Sequence, residues 1–203
     1  MHKEKAPLLK SKGNLTEPFL SALPFKLTGA QQRVVQDITF DLDKTNPMQR
    51  LVQGDVGSGK TVVAALAMLK AVESGYQTAI MAPTELLAEQ HFQNFKNWLE
   101  PLGVNVVLLS GKLKVAAKRE ALEKINSVGG YVIVGTHALF QEGVDFIKLG
   151  LIVVDEQHRF GGHQRWSLRE KGSSQEGQPH QLIITATPIP RTLAMTAYAD
   201  LDC

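Results

Sequence analysis

The sequence predicts an α/β protein: a three-layer α/β/α sandwich built on a mainly parallel sheet. Short apolar runs rich in branched residues alternate with longer stretches of helical periodicity, which is the pattern of parallel strands joined by helices. Some of the runs, such as Leu151–Val154, are apolar at every position, as expected where helices cover both faces of a sheet. The stretch after residue 84 has a single apolar stripe, so one side of that helix should face the sheet.

The predicted strands follow an N-terminal segment that lacks such periodicity. They are Leu51–Gln53, Thr78–Ala82, Val104–Leu109, Tyr131–Gly135, Leu151–Val154 and Leu182–Thr185. We expect residues 1–25, which contain several lysines and prolines, to be a tail or the end of a linker. Residues 26–203 are then expected to form the domain.

The connecting helices carry their own start and stop signals. Thr84 is a natural N-cap for a helix whose apolar stripe is Ala88, Phe92, Phe95, Leu99 and Leu102. An earlier helical run, Thr61–Ser74, is followed by Gly75, a residue suited to ending a helix.

Composition sets limits on the class of protein. The chain has 203 residues, 43% of them hydrophobic, which is enough to bury a core without disulfides. The longest apolar run, Val62–Leu69, is too short to span a bilayer, and the single cysteine, Cys203, favours a reducing compartment. We therefore expect a cytoplasmic protein with no membrane partner. A net charge of +2 is compatible with nucleic acid but does not require it.

A complete phosphate-binding motif follows the first predicted strand. It consists of Gly54, Asp55, Val56, Gly57, Ser58, Gly59, Lys60 and Thr61, and it opens the next helix. Glycines allow the backbone to curl so that N–H groups converge on phosphate oxygens. Lys60 would lie between the outer phosphates, and the Thr61 hydroxyl would bind Mg²⁺. The spacing does not fit a nicotinamide-binding turn.

An acidic pair, Asp155 and Glu156, follows the apolar strand Leu151–Val154. Carboxyl ends of parallel strands form the ligand-binding edge of an open sheet, which is also where the phosphate motif lies. Asp155 would hold the hydrated metal ion and Glu156 would polarise the attacking water. Taken alone, the pair could instead begin a solvated turn.

The remaining motifs are identified by resemblance. The segment 155–158, Asp-Glu-Gln-His, resembles the DExH box of superfamily-two helicases and translocases. Residues 82–88, 135–142 and 185–196 are similar to further blocks of these motors, in the same order along the chain. Together they are similar to the bacterial motors that remodel branched DNA and stalled replication forks. Gly162 departs from that pattern, since valine is expected there.

The resemblance implies a RecA-like P-loop domain that uses ATP and Mg²⁺ to move along DNA, and it implies a role for particular residues. Pro83, Thr84 and Glu85, together with Gly135, Thr136 and His137, would touch the nucleic-acid backbone. Thr185 and Thr187 would couple hydrolysis to DNA movement, with His158 as a further coupling residue. It also implies two partners within a longer polypeptide, a second RecA-like domain and a fork-binding wedge domain.

Gln31 has two interpretations that the sequence leaves open. In the sequence Thr28-Gly29-Ala30-Gln31 it resembles the glutamine with which these motors read adenine. The same spacing is that of a capping box, in which Thr28 and Gln31 stabilise the start of a helix without any ligand.

Other interpretations remain alongside the motor. A P-loop kinase or GTPase is disfavoured because the chain has no N-K-x-D motif and its acidic pair lies far beyond Lys60. A non-catalytic nucleotide- or DNA-binding module is the third possibility. Several basic residues around one predicted helix could meet phosphates or form a solvated face: Lys112, Lys114, Lys118, Arg119 and Lys124. We expect the isolated chain to bind nucleotide and to hydrolyse it poorly.

Overall fold

The computed structural model describes residues 6–7, 9, 15–54, 59–127, 131–141, 143–156, 178–185 and 198–200. Within this part of the chain the helices are α1 Thr16–Ala22, α2 Gly29–Leu42, α3 Lys60–Glu73, α4 Glu85–Leu99 and α5 Val115–Ile125. Two short 3₁₀ helices span Glu100–Leu102 and His137–Phe140. The strands are β1 Gln49–Gln53, β2 Gln77–Met81, β3 Asn105–Leu109, β4 Tyr131–Gly135, β5 Leu149–Glu156, β6 His180–Thr185 and β7 Tyr198–Asp200.

The described strands form one parallel sheet in the order β3-β4-β2-β5-β6-β1-β7. The six predicted strands are all present, within a few residues of their expected ends. The seventh strand, β7, pairs with Leu51–Gln53 and was not predicted. The mainly parallel sheet inferred from the sequence is confirmed.

Helices cover both faces of this sheet. Along β5, Leu151 and Val153 pack with the core that includes α3 and α4, whereas Ile152 and Val154 pack on the opposite side with α5. Such alternation within the apolar run Leu151–Val154 is what a sheet covered on both faces produces. It confirms the three-layer α/β/α sandwich.

The helix boundaries follow the local signals in the sequence. Thr84 caps α4, since its hydroxyl accepts a hydrogen bond from the Leu87 N–H at 3.2 Å. Helix α3 ends at Glu73, and Gly75 follows in the left-handed region with φ of 86°.

The N-terminal segment differs from the tail that we expected over residues 1–25. Residues Thr16–Ala22 form α1, and the side chains of Ala6, Leu9 and Phe19 are at most 3% exposed. The backbone N–H of Leu9 donates to the Leu42 carbonyl at the end of α2. These apolar residues are too irregularly spaced to produce a helical or strand pattern, so their burial was not visible in the sequence. Among the described residues, no helix combines the length and the apolar character needed to cross a membrane.

Candidate nucleotide site and nucleic-acid interface

The carboxyl ends of β1, β6 and β5 bring together residues from three distant parts of the sequence. Gln53 of β1 lies opposite Thr185 of β6, which in turn lies opposite Glu156 of β5. The Gly54 N–H donates to the Thr185 carbonyl at 3.0 Å. Since adjacent strands are about 4.8 Å apart, β1 and β5 end roughly 10 Å from each other. We call this group of strand ends the nucleotide half of the edge.

The phosphate motif is described at its two ends. Gly54 is buried at the end of β1, and the helix α3 begins at Lys60, whose ammonium group donates to the Gly54 carbonyl. Gly59 caps α3 with φ of 84°, a conformation that favours glycine. Thr61 is half-buried in the first turn. Four predicted motif residues lie outside the described part of the chain: Asp55, Val56, Gly57 and Ser58.

Gln31 packs directly against this motif. A Cβ atom added to Gly59 would lie 1.8 Å from Nε2 of Gln31, so the two residues are in close contact. The capping box is also present: the Thr28 N–H donates to Oε1 of Gln31 at 2.8 Å, and the Gln31 N–H donates to the Thr28 hydroxyl at 3.2 Å. Thus the capping interpretation is confirmed, and adenine reading stays a prediction.

The acidic pair ends the buried strand β5. Asp155 is 5% exposed and Glu156 is half-buried. Oδ2 of Asp155 lies 2.6 Å from Nε2 of His91, a residue of α4. Because a carboxylate oxygen can only accept, the imidazole N–H is the donor in this hydrogen bond. His158, the other histidine assigned to this region, lies outside the described residues.

His91 is a site residue that the sequence analysis missed. The buried residues of α4 are Ala88, His91, Phe95 and Leu99, which follow one another at intervals of three and four. A histidine at that spacing could have indicated the contact from the sequence, because a polar side chain on the buried face of a helix needs a hydrogen-bond partner. Phe92, which the sequence pattern placed in the stripe, is only partly buried.

A second group of residues lies at the ends of β2, β4 and β3, which we call the nucleic-acid half of the edge. Met81 lies opposite Gly135, and the Ala82 N–H donates to the Gly135 carbonyl at 2.8 Å. The predicted backbone-contacting blocks, Pro83–Glu85 and Gly135–His137, are therefore neighbours.

The residues of these two blocks differ in exposure. Thr84 and His137 are exposed, whereas Thr136 is 1% exposed and its hydroxyl accepts from the Ala138 N–H. Gly135 has no room for a side chain, since a Cβ there would lie 2.7 Å from the Leu109 carbonyl oxygen. Solvent contact in the second block is thus concentrated at His137.

The end of β3 adds a basic residue to the same half. The ammonium of Lys112 lies 3.5 Å from a carboxylate oxygen of Glu85. One of the basic residues noted in the sequence therefore contacts the block Pro83–Glu85. Thr185 belongs to the nucleotide half, and Thr187 lies outside the described residues.

Comparison with known proteins identifies the family of this chain. A model of the DEAD/DEAH box helicase family matches residues 28–196. The chain is 61% identical over 189 residues to the ATP-dependent DNA helicase RecG of Haemophilus influenzae, covering 93% of this chain and 27% of that protein. It is 52% identical over 204 residues to RecG of Aquifex aeolicus, covering 98% and 25% of the two chains. The chain therefore spans about a quarter of the length of these relatives.

Solved structures show the same fold. A structure described as RecG bound to a three-way DNA junction has a TM-score of 0.82 at 43% identity, and the match covers 94% of this chain and 25% of that one. The yeast DEAD-box splicing factor Prp28 has a TM-score of 0.70 at 17% identity, covering 100% of this chain and 52% of that one, and it supports the fold alone. The RecA-like domain and the resemblance to superfamily-two motors are confirmed, and the chain belongs to the DEAD/DEAH box helicase family.

Proposed function

We propose that this chain is the first RecA-like motor domain of an ATP-dependent DNA helicase or translocase that remodels branched DNA and stalled forks. The observation that carries the proposal is the register of Gln53, Thr185 and Glu156 across β1, β6 and β5. It brings the phosphate motif, the acidic pair and the proposed coupling residue to one edge of the sheet. Family membership and the similarity to RecG supply the reaction class.

In the nucleotide half, Lys60 and the start of α3 would bind the phosphates of ATP. The Lys60 ammonium group donates to the Gly54 carbonyl, so this side chain links the two described ends of the motif. The amino end of a helix adds N–H donors and a favourable dipole for an anion. We infer that Gly54–Thr61 forms the triphosphate cradle and that Gln31, in contact with Gly59, adjoins the bound nucleotide.

The residues beside the cradle fit Mg²⁺. Thr61 offers a hydroxyl oxygen and Asp155 a carboxylate, and oxygen is the ligand type that this ion prefers. When bound, Mg·ATP supplies the phosphoanhydride bond whose hydrolysis drives the motor. Thr61 and Asp155 would hold the hydrated ion, and Glu156 would orient and polarise the attacking water.

In the nucleic-acid half, the two neighbouring blocks would follow the DNA backbone. Exposed Thr84 and His137 can donate hydrogen bonds to phosphate oxygens, and the basic residues near the end of β3 add electrostatic attraction. The other residues of the two blocks would give this surface its shape, and they are Pro83, Glu85, Gly135 and Thr136. Thr185, placed between the cradle and the acidic pair, would transmit the state of the nucleotide, together with Thr187 and His158.

Catalysis at full rate should require a second RecA-like domain. In P-loop enzymes an arginine that stabilises transition-state charge contributes about 10³ to 10⁵ in rate, and in this class of motor we expect it from the second domain. The relatives are about four times longer than the chain, which leaves room for that domain and for a fork-binding wedge. We infer that the chain alone binds nucleotide and hydrolyses it slowly, and that the longer protein works in the cytoplasm.

A chimera tests the proposal. The chain would replace the matching region of the Haemophilus influenzae relative, and ATP hydrolysis would be measured with and without branched DNA. We expect DNA-stimulated hydrolysis that Glu156→Gln abolishes while Mg·ATP binding is retained, because the amide cannot act as a base. Glu89→Gln, an exposed residue of α4, is the matched control and should keep the activity.

Two outcomes would contradict the proposal. Hydrolysis that persists in Glu156→Gln removes this residue from its role. A parent chimera that folds and binds Mg·ATP but shows no stimulation by DNA overturns the motor itself.

A further inference from the structure

His91 connects the two halves of the binding edge. It belongs to α4, which is capped by Thr84 and begins at Glu85, both in the nucleic-acid half. Its ring nevertheless reaches across to Asp155 at the end of β5, in the nucleotide half. The hydrogen bond of 2.6 Å is short, as expected when the acceptor is ionised.

Both partners are held in place. His91 is 7% exposed and Asp155 is 5% exposed, so water competes little for the hydrogen bond. The imidazole stacks on Phe95 with ring centroids 5.8 Å apart and planes inclined by 17°. Phe95 is fully buried and makes a T-shaped contact with Trp98, with ring centroids 6.0 Å apart. The ring of His91 therefore packs against a side chain that is itself held in place.

We propose that His91 is a positioning residue for the magnesium site, holding the Asp155 carboxylate in the orientation that receives the hydrated ion. Oδ2 accepts from His91, which would leave the other carboxylate oxygen for the hydrated ion. This inference rests on the proposed function, because it assumes that Asp155 serves Mg·ATP. Groups that orient metal ligands in this way commonly change metal affinity or activity about 10- to 100-fold when removed.

The alternative is that His91 only stabilises the fold by donating a hydrogen bond to a buried carboxylate. The two roles predict different Mg²⁺ dependences of nucleotide binding. A positioning residue changes the Mg²⁺ concentration needed to strengthen nucleotide binding, whereas a purely structural one changes the melting temperature and leaves that concentration alone.

The test is nucleotide binding by this chain, measured by calorimetry across a Mg²⁺ titration and again in excess chelator. His91→Phe keeps the stack on Phe95 and removes the donor. We expect its half-saturating Mg²⁺ concentration to rise about tenfold or more, with unchanged affinity for ATP in chelator. His91→Gln, which restores a donor, should recover most of that loss.

Leu99→Ala is the matched control, because Leu99 is a fully buried residue of the same helix and lies about two turns beyond His91. It should lower the melting temperature without moving the Mg²⁺ dependence. If His91→Phe fails to melt cooperatively, His91→Asn carries the same prediction, since its shorter amide withdraws the donor from Asp155.

Asp155→Asn separates the two hypotheses. If it abolishes the effect of Mg²⁺ while the variants that remove the donor leave that effect unchanged, the positioning role is overturned and the proposed function stands. If Asp155→Asn also binds Mg·ATP normally, the assignment of Asp155 itself is wrong. The positioning role is likewise overturned if His91→Phe changes the half-saturating Mg²⁺ concentration no more than Leu99→Ala does.

Discussion

At the scale of single residues, Gln31 shows how one side chain can serve two purposes. Its Oε1 accepts the Thr28 N–H at the start of α2, while its Nε2 packs against Gly59 of the phosphate motif. Gly59 is required twice over, by its positive φ and by the space that Gln31 fills. The capping role follows from these contacts, and adenine recognition remains to be tested.

Two substitutions of Gln31 separate these roles. Gln31→Glu keeps the oxygen that completes the capping box but loses the amide donor. We expect it to retain the melting temperature while the preference for ATP over GTP falls about tenfold, the loss of one buried hydrogen bond. The new carboxylate repels the phosphates of ATP and GTP alike, so its effect cancels in the ratio of the two affinities.

Gln31→Ala is the companion variant, and it should lose both properties, with about 1 kcal/mol of stability. The measurements are thermal unfolding and competitive nucleotide binding. An unchanged ATP-to-GTP ratio in both variants would leave Gln31 as a capping residue only.

At the scale of elements, a histidine of β6 joins the N-terminal segment to the sheet by hydrogen bonds. His180, the first residue of β6, is fully buried; its Nδ1 accepts the Met48 N–H at 2.9 Å and its Nε2–H donates to the Pro7 carbonyl at 2.8 Å. This pattern requires the neutral imidazole. Burial lowers the pKa of His180 below 6.5, an effect larger than the opposing influences of the Pro7 carbonyl and Asp41.

The lowered pKa predicts a pH-dependent stability. Well above pH 6.5 both the folded and the unfolded chain carry neutral His180, and its hydrogen bonds contribute fully. As the pH falls below 6.5 the unfolded chain binds the proton first, so the free energy of unfolding decreases. Urea unfolding at pH 7.5 and 5.5 should show this loss, and His180→Gln should show less of it. Equal losses in both proteins would refute the assignment.

At the scale of the whole molecule, local signals in the sequence predicted most of the fold. Apolar runs such as Leu151–Val154 placed the strands, and Thr84 and Gly75 fixed helix ends. Strand β7 was missed because three residues, Tyr198–Asp200, are too few to show a pattern. The order of strands depends on long-range packing, which no short window contains.

The candidate site shows the same difference between local and long-range signals. The phosphate motif and the acidic pair were recognised because each has a fixed spacing, and the register of the sheet then brings their ends together. His91 was missed because its role comes from a partner 64 positions away in the chain. Contacts between distant segments are what the sequence alone does not display.

The proposed function depends above all on the segment from Gly54 to Thr61 holding the phosphates of ATP at this edge. The most direct test is calorimetric binding of Mg·ATP to this chain and to Lys60→Ala. The lost charge-assisted contact should weaken binding at least tenfold, about 1.5 to 3 kcal/mol, with cooperative melting retained. Lys114→Ala, an exposed lysine before α5, should bind as the parent does. Unchanged affinity in Lys60→Ala would contradict the account.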